Sequence, residues 1–303
     1  MFEEKRVMFF YSETPLHVGA GKGAGAVDLP IQRERSTGYP MVQSSGVKGC
    51  LRSTFRDVKN WDDNDDRLTA LFGKAGEGGE IFAGAIAPGD ARLLLFPVRS
   101  LAGVFAWTTS VHALANFKRA AELSGQSIEW KVPEQPQENH ALVGNPTDLK
   151  AGVDVVLEEF SFTPDPSDSV NAIAKWIGEK AFPVGYDYWQ KSLPRRLCIL
   201  PEDAFRDFCL YATEIQTHIA LNPKTKTVDS EKGALWTTES LPIDSLLYAP
   251  LMATGIRNGK DNRKVSDVLN ELASLNLHRL QMGGDETTGQ GWVGIRFFPE
   301  VKS

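Results

Sequence analysis

No stretch of the chain is apolar for long enough to cross a bilayer or to act as a signal peptide; the N-terminal MFEEKRVMFFY is acidic, then apolar for only a few residues. Cysteine is scarce too. Cys50, Cys198 and Cys209 are odd in number and lack paired metal spacing, which excludes a disulfide framework and a zinc ribbon and points to a reducing, cytoplasmic setting without a membrane partner. Nor is there an excess of positive charge. With 33 Lys and Arg against 39 Asp and Glu the net charge is -6, so bulk charge does not coat nucleic acid, and such a partner has to be gripped by a patch or by an assembly. What is present is a globular composition, 42% hydrophobic and 24% charged over 303 residues, enough for a substantial core.

The most informative stretch is Leu16 to Arg56, LHVGAGKGAGAVDLPIQRERSTGYPMVQSSGVKGCLRSTFR. Gly19, Gly21, Gly23 and Gly25 alternate, a pattern no helix or strand interior favours, and one that permits unusual dihedrals and close approach of a ligand backbone. A phosphate loop fails because Gly21-Lys22 is followed by Gly23 rather than Ser or Thr, and a dinucleotide fingerprint fails because Val27-Asp28-Leu29-Pro30 interrupts where a helix should open. Composition alone leaves a surface loop open as well. Next, Ser44-Ser45 precedes Val47, Leu51 and Phe55 at i, i+4, i+8, which predicts an amphipathic helix with Ser45 as its N-cap. Its free backbone N–H groups, with Lys48 and Arg52, form an anion site. Between Ile31 and Asn60 six Lys and Arg stand against two acids, so basicity is local to this segment.

Along the rest of the chain, Arg6 to Tyr11 predicts a first strand. Asp62, Asp63, Asp65 and Asp66 lack the glycine and distal glutamate of an EF-hand loop and read as solvated charge. Ile81 to Ala87 and Ala91 to Val98 predict a hairpin about Pro88-Gly89-Asp90, followed by a strand at Phe105 to Thr108 and a Ser110-capped helix to about Leu123. Trp130 to Pro146 predicts a loop, Asp154 to Thr163 one strand, Ser167 to Lys180 a helix, and Pro201-Glu202-Asp203 opens a helix to about Tyr211. Thr217 to Leu241 predicts a long protruding hairpin whose apolar side chains could wedge between unstacked bases. A helix near Val265 to Leu275 and a strand His278 to Met282 lead to GGDETTGQGW, then a last strand to Phe298. The GGDE run invites a nucleotide cyclase, but Thr287 stands where an aromatic is needed and only 18 residues follow Asp285. The alternative is a second loop, with Gly283, Gly284, Gly289 and Gly291, that accepts an RNA backbone beside the first.

HVGAGKGAGAVDLPIQRERSTGYPMVQSSGVKGCLR, then LFG at Leu71 to Gly73, then GGDETTGQGW together resemble the RAMP superfamily of CRISPR-associated proteins, in particular the multi-copy backbone subunit of the type III-B, Cmr-type effector complex. The resemblance runs almost end to end. It implies an α+β fold with a ferredoxin-like, RRM-type core over 1–303, loop insertions at 57–80 and 130–150, and residues 217–241 as a thumb that kinks the guide–target duplex. It further implies partners: a guide crRNA, single-stranded target RNA, further copies of the chain in a helical filament, and other Cmr subunits. In that family an aspartate in the loop after the first strand cuts target RNA with a divalent metal, and Asp28 matches it; a weakly held Mg²⁺ or Mn²⁺ is the expected cofactor. His17, in the same loop, is a candidate general acid or base. Ser44, Ser45, Lys48 and Arg52, with Arg33 and Arg35 behind them, are candidates for the guide backbone, and Trp236 and Glu239 for target contact. The other class of function is a non-catalytic RNA-binding scaffold.

Overall fold

The fold is seen in a computed structural model that describes residues 2–23, 25–74, 81–222, 224–228, 235–257, 264–274 and 277–300. The first loop insertion over 75–80, the thumb at 223 and 229–234, and the helix end at Leu275 lie outside the described residues. In chain order the elements are β1 (Glu4–Ser12), β2 (Met41–Val42), α1 (Ser44–Lys59), α2 (Asp66–Phe72), β3 (Gly73–Lys74), β4 (Phe82–Ala83), β5 (Ile86–Pro88), β6 (Ala91–Arg99), β7 (Phe105–Ser110), α3 (Val111–Leu123), β8 (His140–Val143) and β9 (Lys150–Ala151). There follow β10 (Asp154–Leu157), β11 (Phe160–Pro166), α4 (Asp168–Lys180), α5 (Asp187–Arg196), β12 (Leu197–Leu200), α6 (Glu202–Tyr211), β13 (Glu214–Ile219), β14 (Leu235–Ser240), β15 (Leu246–Ala253), α7 (Val265–Ser274), β16 (Arg279–Gln281) and β17 (Trp292–Phe298).

Four strands form the centre, in the order β17-β1-β15-β6, each antiparallel to its neighbour. Taken with α1 between β1 and β6 and α7 between β15 and β17, this is the β-α-β-β-α-β arrangement of a ferredoxin-like core. Beyond β6 the same sheet continues through β7, β12, β8, β11, β10 and β9.

The apolar run of β1 explains why the sheet is covered on both sides. Successive side chains of a strand face opposite ways. Met8 and Phe10 pack with Val47, Leu51 and Phe55 of α1 and Val268, Leu269 and Leu272 of α7. Val7, Phe9 and Tyr11 pack with Leu114 and Phe117 of α3, Ile173 and Ile177 of α4, and Leu193 of α5. Each such large side chain taken wholly from water contributes about 1.5–3 kcal/mol.

Helix α1 keeps the expected period, since Val47, Leu51 and Phe55 are its buried residues. It stops at Asn60, in left-handed conformation, whose N–H returns to the Arg56 and Asp57 carbonyls. The aspartates beyond it have local tasks: Asp65 caps α2 by accepting the Arg67 N–H, and Asp63 pairs with Arg52 and Arg56.

Three expectations change. Pro88-Gly89-Asp90 does not close a hairpin, because β5 and β6 both pair with β15, as two segments in line, and the Gly89 N–H donates to the Pro250 carbonyl at 2.7 Å. The stretch from Asp154 is two antiparallel strands, β10 and β11, turning at Glu158, whose φ is 49°. Within the expected loop Trp130 to Pro146, His140–Val143 is strand β8, between β12 and β11. No helix among the described residues is long and apolar enough to cross a membrane.

Candidate nucleic-acid interface and active site

The loop after β1 folds back on itself. The Ala20 N–H donates to the Pro30 carbonyl and the Gln32 N–H to the Val18 carbonyl, each at 2.8 Å, so residues 18–20 and 30–32 run as a short ladder with the glycines at its tip. Gly23 has to be glycine: a Cβ there would lie 2.6 Å from the Val27 carbonyl oxygen.

From Asp28 the chain docks along the free edge of β14, running parallel to it. The Leu29 N–H donates to the Thr237 carbonyl and the Glu239 N–H to the Leu29 carbonyl, both at 3.0 Å. The other edge of β14 pairs with β13, from Glu214 opposite Ser240 to Ile219 opposite Leu235. These two antiparallel strands, which begin at Glu214 rather than at the expected Thr217, form a sheet separate from the main one. Its face carries exposed Ile215, Ile219 and Leu235, while Trp236 stacks on His218 with ring centroids 5.3 Å apart.

Asp28 itself is exposed. Its Oδ2 accepts from the Thr237 N–H at 2.8 Å and from the Thr237 hydroxyl at 2.9 Å. The backbone N–H first, then the hydroxyl, hold the Asp28 carboxyl below its ordinary pKa, so it is ionised at neutral pH. Two residues along β14, about 6.6 Å on at the same edge, the Glu239 carbonyl accepts from His17 Nδ1 at 2.6 Å. That bond sets the tautomer: a neutral His17 ring keeps Nε2 as an acceptor. Asp28 and His17 are thus brought to one strand edge.

Glu239 and Arg33, expected at RNA, bond each other and backbone groups within the fold. Glu239 is 5% exposed, and its carboxylate receives Arg33, the Ile31 N–H at 3.0 Å and the Thr213 hydroxyl at 2.8 Å. Arg33 also donates to the Gly38 and Cys209 carbonyls at 2.8 Å. With every strong site engaged inside the fold, this pair clamps the loop to β14 and presents little charge outward.

The C-terminal loop closes over the same place. The Gly284 N–H donates to the His17 carbonyl at 2.8 Å, and at Gly283, φ 82°, a Cβ would lie 2.3 Å from that oxygen. Gly291 bonds the Pro15 carbonyl, Gly289 faces open space, and the Gln290 side chain reaches Gln216 of β13 at 3.0 Å. Glu286–Thr288 is a single 3-10 turn. Gly283, Gly284 and Gly291 thus lie against residues 15–17, whereas Gly289 does not.

The start of α1 differs in detail. Its N-cap is Gln43, not Ser45. The Asp90 carboxylate takes the Ser44 N–H at 2.8 Å, and the Gly46 and Val47 N–H groups go to the Gln43 carbonyl. The Ser45 N–H is left as the one first-turn donor without a partner among the described residues. Arg52 is committed to the Asp63 carboxylate and carbonyl, both at 2.7 Å. Lys48 has no ion pair among the described residues; it is half-buried, burial lowers its pKa, and it lines a pocket of about 570 Å³ with Arg52, Lys74, Phe72 and Phe82.

No group of three His, Cys, Asp or Glu that could hold a metal ion occurs among the described residues. Asp28 offers one carboxylate oxygen, Oδ1, beyond the one Thr237 engages, a donor set that suits a hard cation kept mostly by water and phosphate oxygens. Sequence reasoning missed Thr237 and Asp90. A threonine in a strand and an aspartate after Pro-Gly are ordinary locally, and each acquires its role from a residue distant in sequence.

The model of the RAMP superfamily matches residues 9–294. The chain is 38% identical to the CRISPR system Cmr endoribonuclease Cmr4 of Pyrococcus furiosus, over 94% of this chain and 92% of that one. It is 25% identical to the CRISPR system CMR subunit Cmr4 of Saccharolobus solfataricus, over 95% of each. Among solved structures, oligomeric Cmr4 from Pyrococcus furiosus superposes with a TM-score of 0.73 at 30% identity, covering 97% of both chains. A type III-B Cmr-beta structure bound to cognate target RNA shares the fold, with a TM-score of 0.73 at 21% identity over 99% of each chain.

Proposed function

The chain belongs to the RAMP superfamily, and from that premise we propose that it is the backbone subunit of a cytoplasmic type III-B Cmr effector complex. It holds guide crRNA, stacks with further copies of itself and with other Cmr subunits, and cuts paired target RNA at regular intervals. One observation carries this reading. Asp28 is an exposed carboxylate, kept ionised by its bonds to Thr237, beside a hairpin that presents apolar side chains to solvent.

The chemistry follows from that juxtaposition. Ile219 and Leu235 on the hairpin displace a base pair, which unstacks the target and frees a ribose for in-line geometry. The 2′-oxygen then attacks the adjacent phosphorus, forming a cyclic phosphodiester as the bond to the 5′-oxygen breaks. His17 Nε2 is placed to take the 2′-hydroxyl proton, because Nδ1 is spent on the Glu239 carbonyl. Asp28 would hold a divalent cation, Mg²⁺ or Mn²⁺, through its remaining oxygen. When bound, such an ion offsets phosphate charge. Lys48 and the Ser45 N–H are the groups at the start of α1 left to meet a guide phosphate.

The test is a complex assembled with Asp28→Asn. Guide binding should persist and periodic target cutting should stop. Cutting that continues at the same positions would leave this chain a scaffold, with the chemistry in another subunit.

A further inference from the structure

Within the reading that Asp28 acts on RNA, we infer that Thr237 is a positioning residue for the cut, holding the Asp28 carboxylate in register with the projecting hairpin. Asp28 follows a glycine-rich tip that is exposed from Gly19 to Ala26 apart from the undescribed residue 24; that loop holds its carbonyl, through the Gly23 N–H at 2.8 Å, and not its carboxylate. The two leading hydrogen bonds to its carboxylate come from Thr237: the N–H at 2.8 Å and the hydroxyl at 2.9 Å, both onto Oδ2. The same hydroxyl accepts the Asp28 N–H at 3.0 Å, so one oxygen fixes both the backbone and the side chain of that residue.

Thr237 lies in β14 directly opposite Thr217 and next to Trp236 and the Ile219–Leu235 pair. It therefore belongs to the body that displaces a base, while Asp28 belongs to the loop that acts beside it. Their joint fixes the distance between the two events. A carboxylate released from Oγ1 keeps one bond, to the main-chain N–H, and can turn about it, so the remaining oxygen no longer points one way. Loss of a charge-assisted bond to an ionised group lowers the rate by about ten- to hundredfold where that orientation is used in the transition state.

The experiment uses effector complexes built with the full chain and a guide, with single-turnover cutting of target RNA in Mg²⁺ followed against complex concentration. Thr237→Val is nearly isosteric, suits a strand, and removes only the hydroxyl; Thr237→Ser restores it. The expected result is a maximal rate about tenfold or more lower for Thr237→Val at unchanged half-saturating concentration, and within about threefold of wild type for Thr237→Ser. Wild-type cutting by Thr237→Val, with Asp28→Asn inactive, overturns the inference and leaves the function standing. Equal losses in both Thr237 variants, or a loss confined to half-saturation, assign Thr237 to packing or binding and also overturn it. Undiminished cutting by Asp28→Asn removes the functional reading and this inference with it.

Discussion

Glu239 shows how a residue's surroundings decide its task. Its place at the base of the hairpin suggested a target contact, yet the side chain is turned inward and satisfies a guanidinium, a backbone N–H and a hydroxyl. Nothing within a few residues announces this, because Arg33, Ile31 and Thr213 come from two other parts of the chain. Asp28 was singled out from local sequence, as a lone acid after a glycine run, and the structure leaves its carboxylate exposed against Thr237. Removing Glu239 takes an acceptor from the Ile31 N–H, the Thr213 hydroxyl and Arg33, and breaking such a pair costs about 3 kcal/mol, at the low end of the usual range because Arg33 is one-fifth exposed and keeps two carbonyl acceptors. Glu239→Ala should therefore lower the unfolding free energy by that amount, read as a lower urea midpoint at unchanged slope. A loss below about 0.5 kcal/mol would mean the clamp contributes nothing to the fold.

At the level of elements, regular periodicity was readable and pairing was not. The spacing of Val47, Leu51 and Phe55 gave α1 its buried face, whereas the acceptor for its first N–H, at Ser44, is Asp90, between β5 and β6. Pro88-Gly89-Asp90 reads locally as a hairpin turn; only the partner strand β15, distant in sequence, makes it a break in one edge. Helix α5 went unseen because Pro194 and a basic end disguise it, and Leu193 is its one buried residue. The cap geometry also ranks the basic side chains of α1. Arg52 already has an acidic partner and Lys48 has none among the described residues, so Lys48 releases more counterion on meeting a phosphate. Lys48→Ala should weaken guide binding and lower the magnitude of the slope of log K against log salt by about 0.7, one single-stranded phosphate; Arg52→Ala should change it less. Equal slopes for Lys48→Ala and wild type would exclude a phosphate at this helix start.

The whole molecule divides into a core that bears stability and a hairpin that does not. Strand β1 is covered on both faces, by α1 and α7 on one side and α3, α4 and α5 on the other, so its alternate residues join two apolar clusters into one unit. The hairpin of β13 and β14 forms its own two-stranded sheet, and its apolar residues Ile219 and Leu235 are 51% and 64% exposed. A cross-strand pair left that far in water contributes little to folding, and its substitution should stay within about 0.5 kcal/mol. Replacing buried Phe55, by contrast, leaves a cavity that costs about 3–5 kcal/mol. The double variant Ile219→Ser with Leu235→Ser should thus melt with the wild-type protein while the complex that contains it loses the regular spacing of cuts. If the melting transition falls as far as that of Phe55→Ala, the hairpin is part of the folding core and its exposed apolar face is not reserved for RNA.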